Sequence, residues 1–486
     1  MYQNWRFYIG EFLALDEQTH PAGISNDDAE DFLAEQIPIL DCPDKELERI
    51  YYFRWWTFRK HLRETPYGHV VTEFAPKVPW SGPFNSIICA AGFHVREGRW
   101  LKDGDGWIKE CIRFWFHGHG QIHDYSCWLP HAVWEYCNWK QDWDFAVEML
   151  PYMVKFFLER EADHLRGCGL YWSDDNLDGM EFSISGPGLR PTLNSYACAD
   201  AFAISAIAKL AGDEQLSAQF AEKAASLWEA MERLLWDGDF YKTIPLEKNA
   251  DPALFQRPPV DADHDVRELV GFIPWYFNLP PQGKEAGFAQ LMDERFFRAP
   301  YGLTSAEQGH HRFMQWYRHE CLWNGPVWPF ATTQVIVAAS NVLRSGQGPL
   351  SAQDIYSILR TYAINHKMHR EDGSVVPWID ENMHPYTGRW LTRDLLISWD
   401  WKDDMSNWER GKDYNHSMFC DLVLSSLLGI GADEHGITVS PLIPEDWRYF
   451  RVENLWHKGK PCCVTYDADG SHYGQGAGLR VHPMES

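Results

Sequence analysis

Two long loops of this chain gather carboxylic acids among glycines and aromatic rings, the raw material of proton-transfer chemistry. Residues 167–193, GCGLYWSDDNLDGMEFSISGPGLRPTL, carry Asp174, Asp175, Asp178 and Glu181. Residues 369–414 carry Asp380, Glu381, Asp394, Asp400, Asp403, Asp404 and Glu409 among five tryptophans. One acid from each loop could serve a hydrolysis in which a departing oxygen is protonated while a second carboxylate activates water or attacks directly. Cleavage of a glycosidic bond has those requirements. Spacing does not choose among the candidates, because an exposed Asp or Glu is most often a solvated charge or a helix cap.

Such loops need a scaffold, and the hydrophobic pattern supplies one. Apolar residues recur with a helical period over 45–61, 86–96, 106–117, 127–140, 145–163, 194–210, 214–235, 266–277, 325–343, 352–366 and 415–428, with a weaker segment at 285–294. These segments follow one another without intervening strands. Short connections favour antiparallel helical hairpins, and six hairpins bury their apolar stripes best by closing into a ring, so the expected fold is all-α, an (α/α)6 barrel. Loops 71–85, 167–193, 295–322 and 369–414 exceed ordinary connection lengths and are too aromatic for disorder. The barrel is expected over residues 44–430. Residues 1–43 read as an irregular arm packed along it, and 431–486 as a small β-rich appendage with short alternating segments at 437–442, 450–455 and 462–466.

Composition narrows the partners. A formal net charge of −25 argues against nucleic acid, whose binding rests on clustered Lys and Arg. No apolar run approaches bilayer length, so no membrane partner is expected, and the start of the chain lacks a secretory pattern, which predicts a cytoplasmic location. The 25 Trp, 21 Tyr and 27 Phe offer flat apolar faces on which a neutral carbohydrate can stack. Eleven cysteines, an odd number without metal-finger spacing, read as reduced core thiols. His117, His119 and His123 do not share a helical face, so neither a metal nor another cofactor is expected. Whether copies associate as a homo-oligomer is left open.

Four segments, in order, resemble the trehalases, mannosylglycerate hydrolases and other members of glycoside hydrolase family 63. Asp178-Gly-Met-Glu-Phe-Ser183 is similar to the motif that carries that family's general acid. Thr192-Leu-Asn-Ser-Tyr196, running into an Ala-rich helix that ends at Ala211-Gly-Asp213, resembles a second segment. Trp323-Asn-Gly-Pro-Val-Trp-Pro329 resembles a Trp-Arg-Gly-Pro-x-Trp segment, with Asn324 where Arg is usual. Asp380-Glu-Asn-Met-His-Pro-Tyr-Thr-Gly388 resembles the segment that carries the general base. The likeness spans roughly residues 80–430, and four ordered motifs are far more specific than one.

The resemblance implies that Glu181 is the general acid, with Asp178 its rival, and that Glu381 is the general base, with Asp380 its rival. It also implies that Trp80 belongs to the sugar pocket; Asp124, on another inter-helix loop, and Asp178, Tyr196, Trp323, Asn324, Trp399 and Trp401 are further candidate sugar contacts. An exo-acting glycoside hydrolase follows, and if the acids stand about 6.5–9.5 Å apart it inverts configuration. Glu in place of the usual Asp at 181, and Asn324, point to a different sugar or to a branch similar to the α-barrel L-arabinofuranosidases and L-rhamnosidases, where a retaining mechanism is the alternative. A non-catalytic carbohydrate-binding protein would keep the tryptophans without needing two matched acids. A lyase would need a Tyr or His base and a positive site, which the −25 charge and acid-rich loops disfavour and His310 and His311 beside Arg312 leave open; a phosphorylase would need a basic cluster beside the acid, and neither acid-bearing loop has one.

Overall fold

A computed structural model describes residues 4–398 and 408–484. The chain is mainly helical, and its long helices begin and end where the sequence carries caps. Asp44 accepts the amides of Glu46 and Leu47 at the start of Lys45–Phe58. Ser351 and Asp354 form a reciprocal capping box on Ala352–Ile364. Pro191 opens Pro191–Leu210, and Gly212, with φ of 78°, turns the chain so that Asp213 caps Glu214–Leu234. These two helices then pack against each other as an antiparallel pair.

Several expected helices are shorter or differently wound. Residues 266–277 form a 3-10 turn at Leu269–Phe272 and a single α turn at Ile273–Tyr276, because Pro274 provides no amide to the turn before it. Segment 86–96 becomes helical only at Ala91–Gly98, Glu285–Met292 is 3-10, and 415–428 is a brief α turn followed by the π-wound Leu422–Leu427. That last segment docks through buried charge. Asp421 accepts from Arg96, Arg99 and Trp100 at 3.0, 2.8 and 2.7 Å, and Glu97 accepts the Cys420 amide at 2.6 Å.

The first 43 residues are more regular than expected, with helices at Trp5–Leu15 and Ala29–Gln36. Strand Ile39–Asp41 joins the C-terminal sheet, pairing antiparallel with Tyr449–His457, which pairs with Lys460–Asp467 and then Gly478–Pro483. Arm and appendage therefore share one sheet, held to the helices where Trp139 O accepts from His457 Nδ1 at 2.7 Å.

One large core runs through the molecule. Trp55, Trp100, Trp115 and Trp128 are wholly enclosed in it, each contributing on the order of 2–3 kcal/mol by leaving water. All eleven cysteines are free thiols, and nine are buried. Among the described residues no helix is long and apolar enough to cross a membrane.

Candidate active site

The four long loops converge. A cavity of about 260 Å³ takes Glu73 and Trp80 from the first, Glu181 from the second, His319, Glu320 and Cys321 from the third, and Glu381, Arg410 and Tyr414 from the fourth. Trp323, Trp328 and Phe330 close one side, where Trp328 stacks on Trp323 with centroids 4.4 Å apart and on Phe330 at 5.0 Å.

Glu181 reaches this cavity because the rest of its loop is pinned underneath. Asp178 is wholly buried and accepts from Arg190 Nε at 2.5 Å, Ser126 Oγ at 2.6 Å and Ser173 Oγ at 3.2 Å. Arg190 also donates to the Gly186 carbonyl, and Glu268 accepts the amides of Ile184 and Ser185. The turn that lifts Glu181 uses left-handed backbone at Gly179, φ 63°, where an added Cβ would stand 3.1 Å from Cys89 Sγ. Phe182 follows in the same region at φ 57°.

Trp323 then ties Glu181 twice, its Nε1 donating to Oε2 at 2.8 Å and its amide to the Glu181 carbonyl at 3.1 Å. Burial raises the Glu181 pKa and outweighs the opposing bond from Trp323, which favours the protonated form a general acid needs.

Glu381 stands in a different environment. Its Oε1 accepts from Arg410 Nε at 2.8 Å and its Oε2 from Cys321 Sγ at 2.9 Å. The charge-assisted bond from Arg410 suits an ionised acceptor. Arg410 in turn lies over the Trp80 ring at 4.8 Å and donates to Glu320 at 3.0 Å. Asp380 faces away from the cavity, accepting from Trp378 Nε1 at 3.1 Å and the Glu381 amide at 2.9 Å. Burial, and then the neighbouring Glu381, push its pKa up to about 7.

A second, more open cavity of about 580 Å³ adjoins the first, bordered by Phe182, Ser183, Arg312 and Tyr317. Glu181 and His319 border both cavities, whereas Glu381 borders only the inner one.

Residues 83–417 match the family described as Mannosylglycerate hydrolase MGH1-like glycoside hydrolase domain. The chain belongs to this family. Among solved structures it is similar to one named "Sialidase", at 32% identity and a TM-score of 0.88, over 99% of this chain and 43% of that one. It thus spans less than half the length of that relative. The fold also resembles a GH78 rhamnosidase of a Bacillus species, at 14% identity and TM-score 0.60 over 92% of this chain and 41% of that one. A GH63 mannosylglycerate hydrolase from Thermus thermophilus aligns at 13% identity and TM-score 0.52 over 73% of this chain and 99% of that one. Among curated proteins none matches the sequence.

Glu181, Glu381 and Trp323 of this MGH1-like domain line one cavity together with Trp80, which precedes the domain. Four other expected contacts lie outside its wall. Asp178 is saturated by Arg190 and two serines, as above. Tyr196 is buried, its hydroxyl 2.6 Å from Gln334 and its ring against Trp128. Asn324 is buried with its amide on the Gln315 carbonyl at 2.7 Å. Asp124 is exposed, whereas its neighbour Tyr125 lines the cavity. Trp399 and Trp401 lie outside the described residues.

Glu73, Cys321, Arg410 and Tyr414 escaped the sequence reading. All sit in loops that stood out for their length, but nothing in their immediate sequence marks them. His119 stacks on Tyr67 at 3.9 Å and His123 contacts Glu159 at 3.1 Å. Among the described residues no cluster of three His, Cys, Asp or Glu could hold a metal.

Proposed function

We propose that this chain is an exo-acting glycoside hydrolase that removes a terminal sugar with inversion of configuration. The observation that carries the reading is the division of the two acids between cavities: Glu381 borders only the inner one, and Glu181 stands where inner and outer meet. A sugar ring in the inner cavity with its leaving group in the outer one would put the glycosidic oxygen beside Glu181.

In this mechanism Glu181 delivers its proton to that oxygen as the bond to the anomeric carbon breaks. Glu381 takes a proton from a water whose oxygen bonds to the anomeric carbon from the opposite side. The small inner volume supports action at a chain end rather than along a polymer. Contact of Lys45–Phe58 with Ala352–Ile364, near the two ends of the helical succession, supports closure of the helices as an (α/α)6 barrel. Tyr356 and Arg360 both bind Asp44 across that junction.

The test is a screen of chromogenic glycosides, furanosides and L-sugars included, followed by NMR of the first-formed anomer. Product of inverted configuration is expected. Retention would make Glu381 a nucleophile, and binding without turnover would make the chain a carbohydrate-binding module.

A further inference from the structure

Glu73 is a carboxyl group of the inner cavity that neither half of the hydrolytic step uses. It comes from the 71–85 loop, is 5% exposed, and shares the wall with Trp80, Tyr414 and Arg410. Its Oε1 accepts a short hydrogen bond from the Tyr414 hydroxyl. Its Oε2 is buried and has no hydrogen-bond partner among the described residues. A buried carboxyl oxygen without a partner costs free energy, so its retention in a cavity wall points to a ligand that completes it.

The surroundings define that ligand. Arg410 is the guanidinium on this wall, and it is engaged by both Glu381 and Glu320. His416, whose ring lies against Tyr414 at a tilt of 31° with centroids 3.7 Å apart, is held well below its ordinary pKa by burial and is therefore neutral. A sugar carboxylate would find Arg410 already shared by Glu320 and Glu381, and His319, the other basic side chain on the wall besides His416, beside Glu320 at 4.0 Å. A sugar hydroxyl can both donate and accept, and suits such a wall.

We propose that Glu73 is a specificity-determining residue of the inner cavity, its carboxyl turning on sugar binding to bring the enclosed, unpartnered oxygen onto a ring hydroxyl of an uncharged sugar, while the same wall disfavours sugars that carry a carboxylate. This rests on the glycosidase reading above, which provides the sugar in the cavity. Burial pushes the Glu73 pKa up to about 8, so near neutral pH the side chain is an uncharged acid able to donate as well as accept. Its neutrality also limits repulsion among the carboxyl groups of the wall.

The experiment compares wild type, Glu73→Gln and Glu73→Ala on the best neutral glycoside from the screen and on its singly deoxygenated analogues, with a sialoside and a uronoside alongside. Calorimetric titration with the free sugar gives a readout independent of turnover. For wild type, one deoxy analogue should lose about 10- to 100-fold in kcat/KM, and Glu73→Ala should lose the same factor on the parent and little more on that analogue. Glu73→Gln keeps a neutral donor and acceptor, so it should retain activity within about tenfold. It should also lose the part of the alkaline fall that ionisation of Glu73 adds near pH 8, while keeping the limb set by Glu181.

A merely structural Glu73 would give Glu73→Ala the same loss on every analogue, and that result overturns the inference while leaving the glycosidase reading standing. Turnover of the sialoside or uronoside above that of neutral glycosides also overturns it alone. No sugar binding and no turnover by wild type would overturn both.

Discussion

The two walls of the inner cavity present the same functional group in opposite settings. On one, Glu181 rests against Trp323 and stacked aromatic rings, accepting from the Trp323 indole and with a pKa raised by burial. On the other, Glu381 is gripped by Arg410 and Cys321. Two carboxyl groups with equal intrinsic acidity are thereby suited to giving up a proton and to accepting one. The contrast recurs within one loop: Asp178, close to Glu181 in the chain, is saturated by an arginine and two serines and can only position. Asp178 is turned away from the cavity by its partners, whereas Glu181 and Glu381 line it.

Exchanging the reacting groups gives the largest effects. Glu181→Gln and Glu381→Gln should each lower kcat by about 10²–10⁴-fold with the fold intact. On an aryl glycoside whose phenol leaves without protonation, Glu181→Gln should recover much of its rate and Glu381→Gln none. Equal behaviour on that substrate would erase the division of roles.

Next comes Asp178→Asn, which leaves the buried Arg190 charge without its counter-ion. It should lower unfolding free energy by about 3–5 kcal/mol in denaturant titrations. Full stability with lost turnover would instead move Asp178 into the chemistry.

Trp323→Phe removes the hydrogen bond that favours ionised Glu181. The Glu181 pKa should rise further, and the alkaline limb of the kcat/KM profile, which requires Glu181 protonated, should move to higher pH with a rate change of about tenfold or less. A shift to lower pH would mean that Glu181 is not the acid.

A last effect is on stability and depends on pH. Glu73 has its folded pKa raised from 4.5 to about 8, so between those values the folded chain holds a proton that the unfolded chain has lost, and stability falls as pH rises through that window. Glu73→Gln should therefore gain melting temperature relative to wild type progressively from pH 4.5 to 8 and by a constant amount above. A gain independent of pH would show that Glu73 is not neutral in the fold.

Most of the helices were legible in the sequence because their signals are local. Asp44, Ser351 and the Gly212-Asp213 pair mark helix ends within a few residues of what they cap. The Leu269–Phe272 and Leu422–Leu427 segments kept their apolar period but not their winding, since Pro274 in one case and buried charges from 96–100 in the other act over the period. The strand at Ile39–Asp41 could not be read at all, because its partner lies at Tyr449–His457, near the other end of the chain.

At the site the same boundary holds. Glu181 and Glu381 were within reach of sequence through their ordered motifs, and loop length together with aromatic content marked the four loops that bring Glu73, Glu181, Glu320 and Glu381 to the cavity. Which side chains on those loops face inward was decided only in three dimensions. Asp178 and Glu181 are near neighbours in one acidic loop, yet Arg190 claims the first and the cavity receives the second. Glu73 and Arg410, 337 residues apart (410 − 73), have unremarkable neighbours in sequence and acquire a role only by sharing a wall. Local sequence determines where helices start and which loops are long, because caps and periods act over one turn; the state and direction of each carboxyl group depend on burial and partners brought from distant loops, which exist only once the chain has folded.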